Sequence, residues 1–112
     1  MPTALAAFER PEARVRDIAA GVGLSQRRFI RVFAAEVGLT PKLYGRVRRF
    51  QRARAMVRPG ASPDWVRIAV ECGYFDQAHL IRDFRAFTGF SPVEFLRHQS
   101  ERVLPNHILQ TG

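Results

Sequence analysis

Two arginines that occupy the same place in two similar segments are the residues of this sequence best suited to specific chemistry. Residues 18–41 read IAAGVGLSQRRFIRVFAAEVGLTP and residues 68–92 read IAVECGYFDQAHLIRDFRAFTGFSP, and they align once the second is allowed one extra residue. Arg31 then matches Arg82. Because a guanidinium can donate two parallel hydrogen bonds to guanine O6 and N7, this repeated arginine predicts recognition of base edges in duplex DNA.

The residues around these arginines extend each predicted reading surface. The apolar stripe of each segment is expected to face inward, which leaves the polar neighbours outside. Arg27 and Gln77 stand at the helix ends that would enter a groove deepest, and glutamine can pair bidentately with adenine. The predicted base-reading residues are Arg27, Arg31, Gln77, Ala78, His79 and Arg82. The alternative for each is a solvated or phosphate-contacting side chain.

A second basic group lies between the two segments, where residues 37–63 contain seven basic residues and no acid. Such cations can neutralise DNA phosphates, although a run of charged residues usually forms only a solvent-exposed surface. We expect two or three of the seven to touch DNA, and Arg49 is the candidate for an internal ion pair instead. The predicted backbone-contacting residues are Gln26, Arg28, Lys42, Arg46 and Arg85.

Composition favours the same class of partner. The 112 residues include 18 Lys and Arg against 10 Asp and Glu, a net charge of +8, and a polyanion is the natural partner of such a chain, although a coding bias toward arginine would also produce it. The single cysteine excludes an internal disulfide and indicates a reducing, cytoplasmic setting. The three histidines are too far apart in sequence to suggest a metal site, and neither a cofactor nor a membrane partner is expected.

Helical periodicity places each arginine on the second helix of a helix-turn-helix. In the first segment, apolar residues recur at helical spacing from Val15 to Gly21, and Gly23 supplies the turn. Ser25 is predicted to cap the second helix, which ends at Gly38.

The second segment repeats this pattern. Ser62 is predicted to cap its first helix, with Pro63 at the first helical position and Gly73 in the turn. Asp76 is predicted to cap the helix that contains Arg82 and that ends at Gly89. Its inner stripe is predicted to consist of Leu80, Phe84 and Phe87.

A long helix is predicted between the two units. It begins at Thr40 and Pro41 and runs to about Arg58, before Pro59 and Gly60 break it. A helix of that length spans about 27 Å, close to the roughly 34 Å of one turn of duplex DNA. It would therefore hold two reading helices about one DNA turn apart.

These elements predict an all-α fold of two helix-turn-helix lobes. The first lobe is predicted over residues 1–41 and begins with a short helix over 3–9, and the connector helix is predicted over 41–58. The second lobe is predicted over 59–99, and its last helix starts at Ser91. Residues 100–112 are expected to form a mobile tail.

The second segment closely resembles the signature of the AraC/XylS family of bacterial transcription regulators. The resemblance is carried by GYFDQAHLIRDFR and GFSP between Ala69 and Phe95, and it extends through the first segment and the connector to cover about residues 14–97. It implies a homeodomain-like domain of about seven helices that places two recognition helices in successive major-groove segments of double-stranded DNA. Family base contacts fall on Arg27, Ile30, Arg31, Gln77, Ala78, His79 and Arg82, of which Ile30 departs from the usual polar residue.

The resemblance also implies partners. An activator of this family recruits RNA polymerase, and a repressor is the alternative. Most members have a sensor or dimerisation domain, which these 112 residues lack, so the chain is either a stand-alone regulator or the DNA-binding part of a longer one.

Two other functions stay open from sequence. One is a basic protein that binds DNA or RNA without sequence preference. The other is the regulatory module of a DNA-repair protein in which Cys72 accepts an alkyl group, although its neighbours in sequence do not activate a thiol. No other motif indicates an enzyme.

Overall fold

The computed structural model describes residues 1–10, 13–58, 60 and 62–101, and this part of the chain is all α-helical, as predicted. The seven helices found there are α1 (Pro2–Ala7), α2 (Val15–Gly21), α3 (Gln26–Val37), α4 (Pro41–Ala55), α5 (Trp65–Glu71), α6 (Gln77–Thr88) and α7 (Pro92–Glu101). We call α1 to α3 the first lobe and α5 to α7 the second lobe. The tail predicted from residue 100 begins within α7, and residues 102–112 lie outside the described part.

The ends of the two longer lobe helices follow the predicted capping chemistry. The Ser25 hydroxyl accepts the N–H of Arg28 at 3.2 Å, and Asp76 Oδ1 accepts the N–H of His79 at 2.9 Å. Gly38 and Gly89 end these helices with φ of 91° and 85°, which residues with a side chain rarely adopt. The start and end of α3 and α6 are therefore fixed by local residues.

The predicted cap of α5 is wrong. Asp64, not Ser62, precedes the helix, and its carboxylate accepts the N–H of Arg67 at 3.1 Å. Pro63 consequently lies before the helix rather than at its first position. A carboxylate satisfies the same orphan N–H as a hydroxyl and is further stabilised by the positive end of the helix dipole, which explains why the later residue caps this short helix.

The connector helix α4 is also shorter than predicted, since it ends at Ala55 instead of near Arg58. Met56 and Val57 donate their N–H groups to carbonyls three residues back, at 3.1 Å each, so the α-helical hydrogen-bond pattern changes to that of a 3₁₀ turn. Pro59 has no N–H to give to the Ala55 carbonyl, and its ring would clash with that carbonyl in a continued helix. The 15 residues of α4 span about 22 Å.

Two separate apolar cores flank α4. The first lobe buries Phe29 and Phe33 of α3 with Ile18 and Ala19 of α2, and the second lobe has its own buried cluster. Tyr44 of α4 packs against the first core. The second core consists of Phe50, Ala53, Ile68, Ala69, Cys72, Tyr74, Leu80 and Phe84, of which Phe50 and Ala53 belong to α4. The connector therefore contributes to both cores.

The leading helix α1 covers the first core. The buried Phe8 ring lies edge-on to Phe33 at 5.6 Å and to Tyr44 at 5.2 Å. It also lies directly over Gly45, where a Cβ would come within 3.1 Å of the ring. The absence of a side chain at this position of α4 lets Phe8 pack against the helix backbone.

Two arginines of α4 bind the end of α1. Arg48 pairs with Glu9 through two hydrogen bonds, Nε to Oε2 at 3.1 Å and Nη2 to Oε1 at 2.8 Å. Hydrogen bonding to Arg48 lowers the pKa of Glu9, and the same contact raises the pKa of Arg48. Arg52 donates from Nη1 to the Phe8 carbonyl at 3.2 Å. These contacts fix α1 against the connector.

The second lobe is held by a buried charge. Asp83 of α6 has a side chain only 4% exposed, and its Oδ1 accepts Nε–H of Arg46 at 2.8 Å. The Arg46 guanidinium also lies over the Phe87 ring at 4.9 Å. The prediction that Phe87 belongs to the buried stripe is wrong, because the residue is 37% exposed and packs at the edge of the core between Phe50 and Arg46.

The remaining α4 arginines lie over aromatic rings of the second lobe. Arg49 lies over Tyr74 at 5.2 Å and Arg54 over Phe95 at 5.8 Å. Burial, with the nearby Asp83 carboxylate, raises the pKa of Tyr74. The internal ion pair considered for Arg49 is thus formed by Arg46, and Arg49 contributes a cation–π contact.

Loss of Arg46 is expected to cost more stability than loss of the charge on its partner. Arg46→Ala leaves the Asp83 carboxylate buried without a cation, which should lower the free energy of unfolding by about 3 kcal/mol. Asp83→Asn keeps an acceptor for Arg46, whose side chain is 39% exposed and can be solvated, so about 1 kcal/mol is expected. Urea unfolding of both variants measures the difference, and equal losses would contradict the argument.

Candidate nucleic-acid interface

The two helix pairs α2–α3 and α5–α6 turn in the same way. Gly23 and Gly73 adopt φ of 77° and 90°. The residue after each glycine donates its N–H back to a buried alanine, Leu24 to the Ala19 carbonyl at 3.0 Å and Tyr74 to the Ala69 carbonyl at 2.8 Å. Each pair is therefore a helix-turn-helix, and α3 and α6 are the corresponding second helices.

In the first lobe, the burial of Phe29 and Phe33 decides which face of α3 meets solvent. Both rings are fully buried, so the opposite face is turned outward. The exposed residues there are Gln26, Arg27, Arg28, Ile30 and Arg31. Arg27 and Arg31 are one turn apart on this face, with the apolar Ile30 between them, which makes an arginine-dominated surface.

In the second lobe, Leu80 and Phe84 are fully buried and place the opposite face of α6 outward. Ala78, Arg82 and Arg85 are exposed at spacings of four and three residues, which puts them on one stripe. The predicted readers Gln77 and His79 are half-buried on either side of Ala78. The structure thus brings the predicted residues of each helix together on one surface.

The electrostatic character of these surfaces follows from where the acids lie. Asp83 is the one acid within α6, and it faces inward to Arg46. Glu36 is the one acid within α3, in its last turn, away from the end that bears Arg27 and Arg28. The first turns of both helices are therefore basic or neutral, although the exposed carboxylate of Asp76 caps α6 directly before its first turn.

The predicted backbone-contacting residues divide into two groups. Gln26, Arg28, Lys42 and Arg85 are exposed. Arg46 is instead bonded to Asp83, and all five arginines of α4 contact one of the two lobes. The basic run of the connector therefore acts largely within the fold, and Lys42 is the α4 cation that faces solvent at the helix start.

One residue near this surface was not singled out by sequence reasoning. Phe75 is the extra residue of the second turn, and it is 89% exposed just before the cap of α6. Its N–H donates to Nδ1 of His79 at 3.3 Å. The signal that could have found it is the insertion itself, because a residue added to a repeated turn has no place in the repeated core.

Cys72 lies away from both outward faces. It is buried in the second core, with Sγ 3.5 Å from Met56 Sδ, and burial raises the pKa of its thiol. Over the described ranges, no three residues of the metal-binding types come together, and no helix is long and apolar enough to cross a membrane.

Comparisons with known proteins bear on this arrangement. The model of the helix-turn-helix domain family matches residues 18–98. The fold is similar to that of an AraC-type transcriptional regulator from Chromobacterium violaceum, with 29% identity, a TM-score of 0.74 and coverage of 93% of this chain and 92% of that one. A probable AraC family regulator from Rhodopseudomonas palustris is 26% identical, with a TM-score of 0.70 and coverage of 87% and 94%.

A further similar structure was solved with nucleic acid present. The DNA-binding domain of AdpA, in complex with a target DNA, is 24% identical, with a TM-score of 0.76 over 89% of this chain and 88% of that one. The comparison with curated proteins finds no match. Because the family match extends over most of the residues that form both helix-turn-helix units, the chain belongs to the AraC-type helix-turn-helix family of transcriptional regulators.

Proposed function

We propose that this protein binds double-stranded DNA in a sequence-specific manner and regulates transcription, with α3 and α6 in successive major-groove segments of one DNA face. The observation that carries the proposal is the pair of equivalent, exposed arginines, Arg31 and Arg82, on two recognition helices set by the same turn. Arginine in a major groove is the commonest specific reader of guanine.

The dimensions of the molecule support simultaneous use of both helices. Its principal extents are 48 × 30 × 19 Å, and its long dimension exceeds the roughly 34 Å of one DNA turn. Both recognition helices pack on α4, α3 through Phe33 on Tyr44 and α6 through Asp83 on Arg46, so one helix joins the two reading surfaces.

In this proposal, each residue of the interface has one role. Arg31 and Arg82 read guanine, and Arg27, Gln77, Ala78 and His79 contact neighbouring bases. Gln26, Arg28, Lys42 and Arg85 contact phosphates, whereas Arg46 is left to its ion pair with Asp83. Because Arg27 corresponds to Ala78, and Arg28 to His79, the two helices read different sequences and the site is asymmetric.

The proposal extends to partners and location on the strength of the family alone. RNA polymerase is the partner of an activator of this kind, and a sensor or dimerisation domain is the usual regulatory partner. The cytoplasm is the location of the bacterial chromosome, and a lone cysteine fits its reducing conditions.

The base-reading role of Arg82 is tested by comparing two variants on a duplex selected from random sequences. Arg82→Ala should weaken binding to the selected duplex roughly 5- to 150-fold and relax preference at one base pair, because it removes a bidentate contact. Fluorescence anisotropy on selected and scrambled duplexes measures both effects. Equal losses on the two duplexes would contradict base reading, and a selection that enriches no motif would favour non-specific binding.

Lys42 supplies the matched comparison for phosphate contact. Lys42→Gln should weaken binding to selected and scrambled duplexes alike, and it should reduce the slope of log affinity against log salt by about 1. The physical reason is that one fewer counterion is released on binding. An unchanged slope would remove Lys42 from the interface.

The alkyl-acceptor alternative requires a reactive Cys72. Since the thiol is buried and its pKa is raised, the folded protein should react with iodoacetamide far more slowly than the urea-unfolded chain at the same pH. Mass spectrometry of the labelled protein gives the ratio. Comparable labelling of folded and unfolded protein would revive that alternative.

A further inference from the structure

The extra residue of the second turn determines how His79 can hydrogen-bond, and the first lobe has no counterpart of this arrangement. Asp76 Oδ1 accepts the N–H of His79, and the Phe75 N–H donates to Nδ1 of the same residue. In the first lobe Ser25 follows Leu24 directly, so no residue corresponds to Phe75. The side chain at the start of α6 is therefore held to the backbone that precedes the helix.

A backbone amide can only donate, which fixes the protonation pattern of the ring. Nδ1 of His79 must present its lone pair to the Phe75 N–H, so the neutral imidazole has its proton on Nε2. The reversed ring would place a C–H against the same amide. The Tyr74 ring packs perpendicular to the imidazole at 5.0 Å and restrains the plane of the ring.

We propose that His79 acts as a specificity-determining residue that only donates, through Nε2–H, to an acceptor in the major groove. Its partner would be N7 or O6 of guanine, N7 of adenine, or O4 of thymine, and not the amino group of cytosine or adenine. A histidine without the Phe75 contact could present either a donor or an acceptor. The inference rests on the proposed function, since it assumes that α6 enters the groove.

Two unlike residues at aligned positions share donor character in this proposal, although Arg28 contacts a phosphate and His79 a base. Arg28 of α3, which aligns with His79, is a donor in every protonation state. The turn containing Phe75 gives the neutral His79 the same donor character, at shorter reach and without a permanent charge. The second helix can thus place a donor close to a base edge where the first presents a long cation.

The tautomer is tested first in the free protein. Assigned ¹⁵N NMR shifts of the His79 ring, recorded where the imidazole is neutral, should show protonated Nε2 in a larger fraction than for the same residue in urea. A purely structural histidine outside this contact would show no such increase. An Nδ1-protonated ring, or no increase over urea, would overturn the proposal without bearing on DNA binding.

The reading role is tested with base analogues in the selected duplex. Single bases of the duplex are replaced by analogues that each lack one acceptor. A 7-deazapurine lacks N7, 2-aminopurine in place of guanine lacks O6, and 5-methyl-2-pyrimidinone in place of thymine lacks O4. One replacement should weaken wild-type binding roughly 5- to 10-fold and leave His79→Ala unaffected, because the variant has already lost that hydrogen bond. His79→Gln, which places an amide N–H near the position of Nε2, should retain the sensitivity, and the shorter His79→Asn should not.

The controls separate this inference from the proposed function. If every analogue weakens wild type and His79→Ala equally, the donor role fails, while discrimination between selected and scrambled duplexes still supports base reading by α6. If wild type does not discriminate between the two duplexes, the proposed function itself fails. Arg16→Ala, which removes an exposed charge on α2, serves as the variant expected to keep sensitivity to the analogue.

Discussion

The architecture depends on the way α4 holds the two lobes, and the pairing of Arg46 with the buried Asp83 is its strongest constraint. A carboxylate withdrawn from water is costly unless a cation accompanies it, so α6 cannot shift far from α4 without leaving Asp83 unmatched. The first lobe has no buried ion pair of this kind among the described residues, because its Arg48–Glu9 pair is largely exposed. The second recognition helix is thus joined to the connector by a buried carboxylate, whereas the first packs on it through the rings of Phe33 and Tyr44.

Much of the basic composition serves this attachment rather than the DNA interface. The five arginines of α4 bind Glu9, the Phe8 carbonyl, Asp83 and three aromatic rings. The cations left on the outer surface include three on α3 and two on α6, and others lie elsewhere, among them Arg14, Arg67 and Arg97. The location of each arginine therefore matters more for contact with a polyanion than the number of arginines.

The parts of the fold that could be predicted from sequence are those governed by neighbours along the chain. The caps at Ser25 and Asp76, the αL glycines and the outward faces of α3 and α6 all follow from residues within one or two turns. Asp83, the partner of Arg46, lies 37 residues away in sequence, and only the packing of α6 on α4 places Arg46 rather than Arg49 beside it. The cap of α5 failed for a different reason, because two good capping residues lie two positions apart.

Gly45 makes α1 a mechanical support for the rest of the molecule. A glycine inside a helix lowers its intrinsic stability by about 1 kcal/mol, and here it lies in α4 between Tyr44, which packs on the first core, and Arg46, which binds Asp83 of the second lobe. Phe8 packs on that point, and Glu9 and the Phe8 carbonyl bind Arg48 and Arg52 one and two turns further along. The short leading helix and the residues after it therefore stabilise the helical conformation of α4. Loss of α1 would remove these contacts from the part of α4 that contains Gly45. Cleavage within the first ten residues would therefore change how α4 spaces the two reading helices.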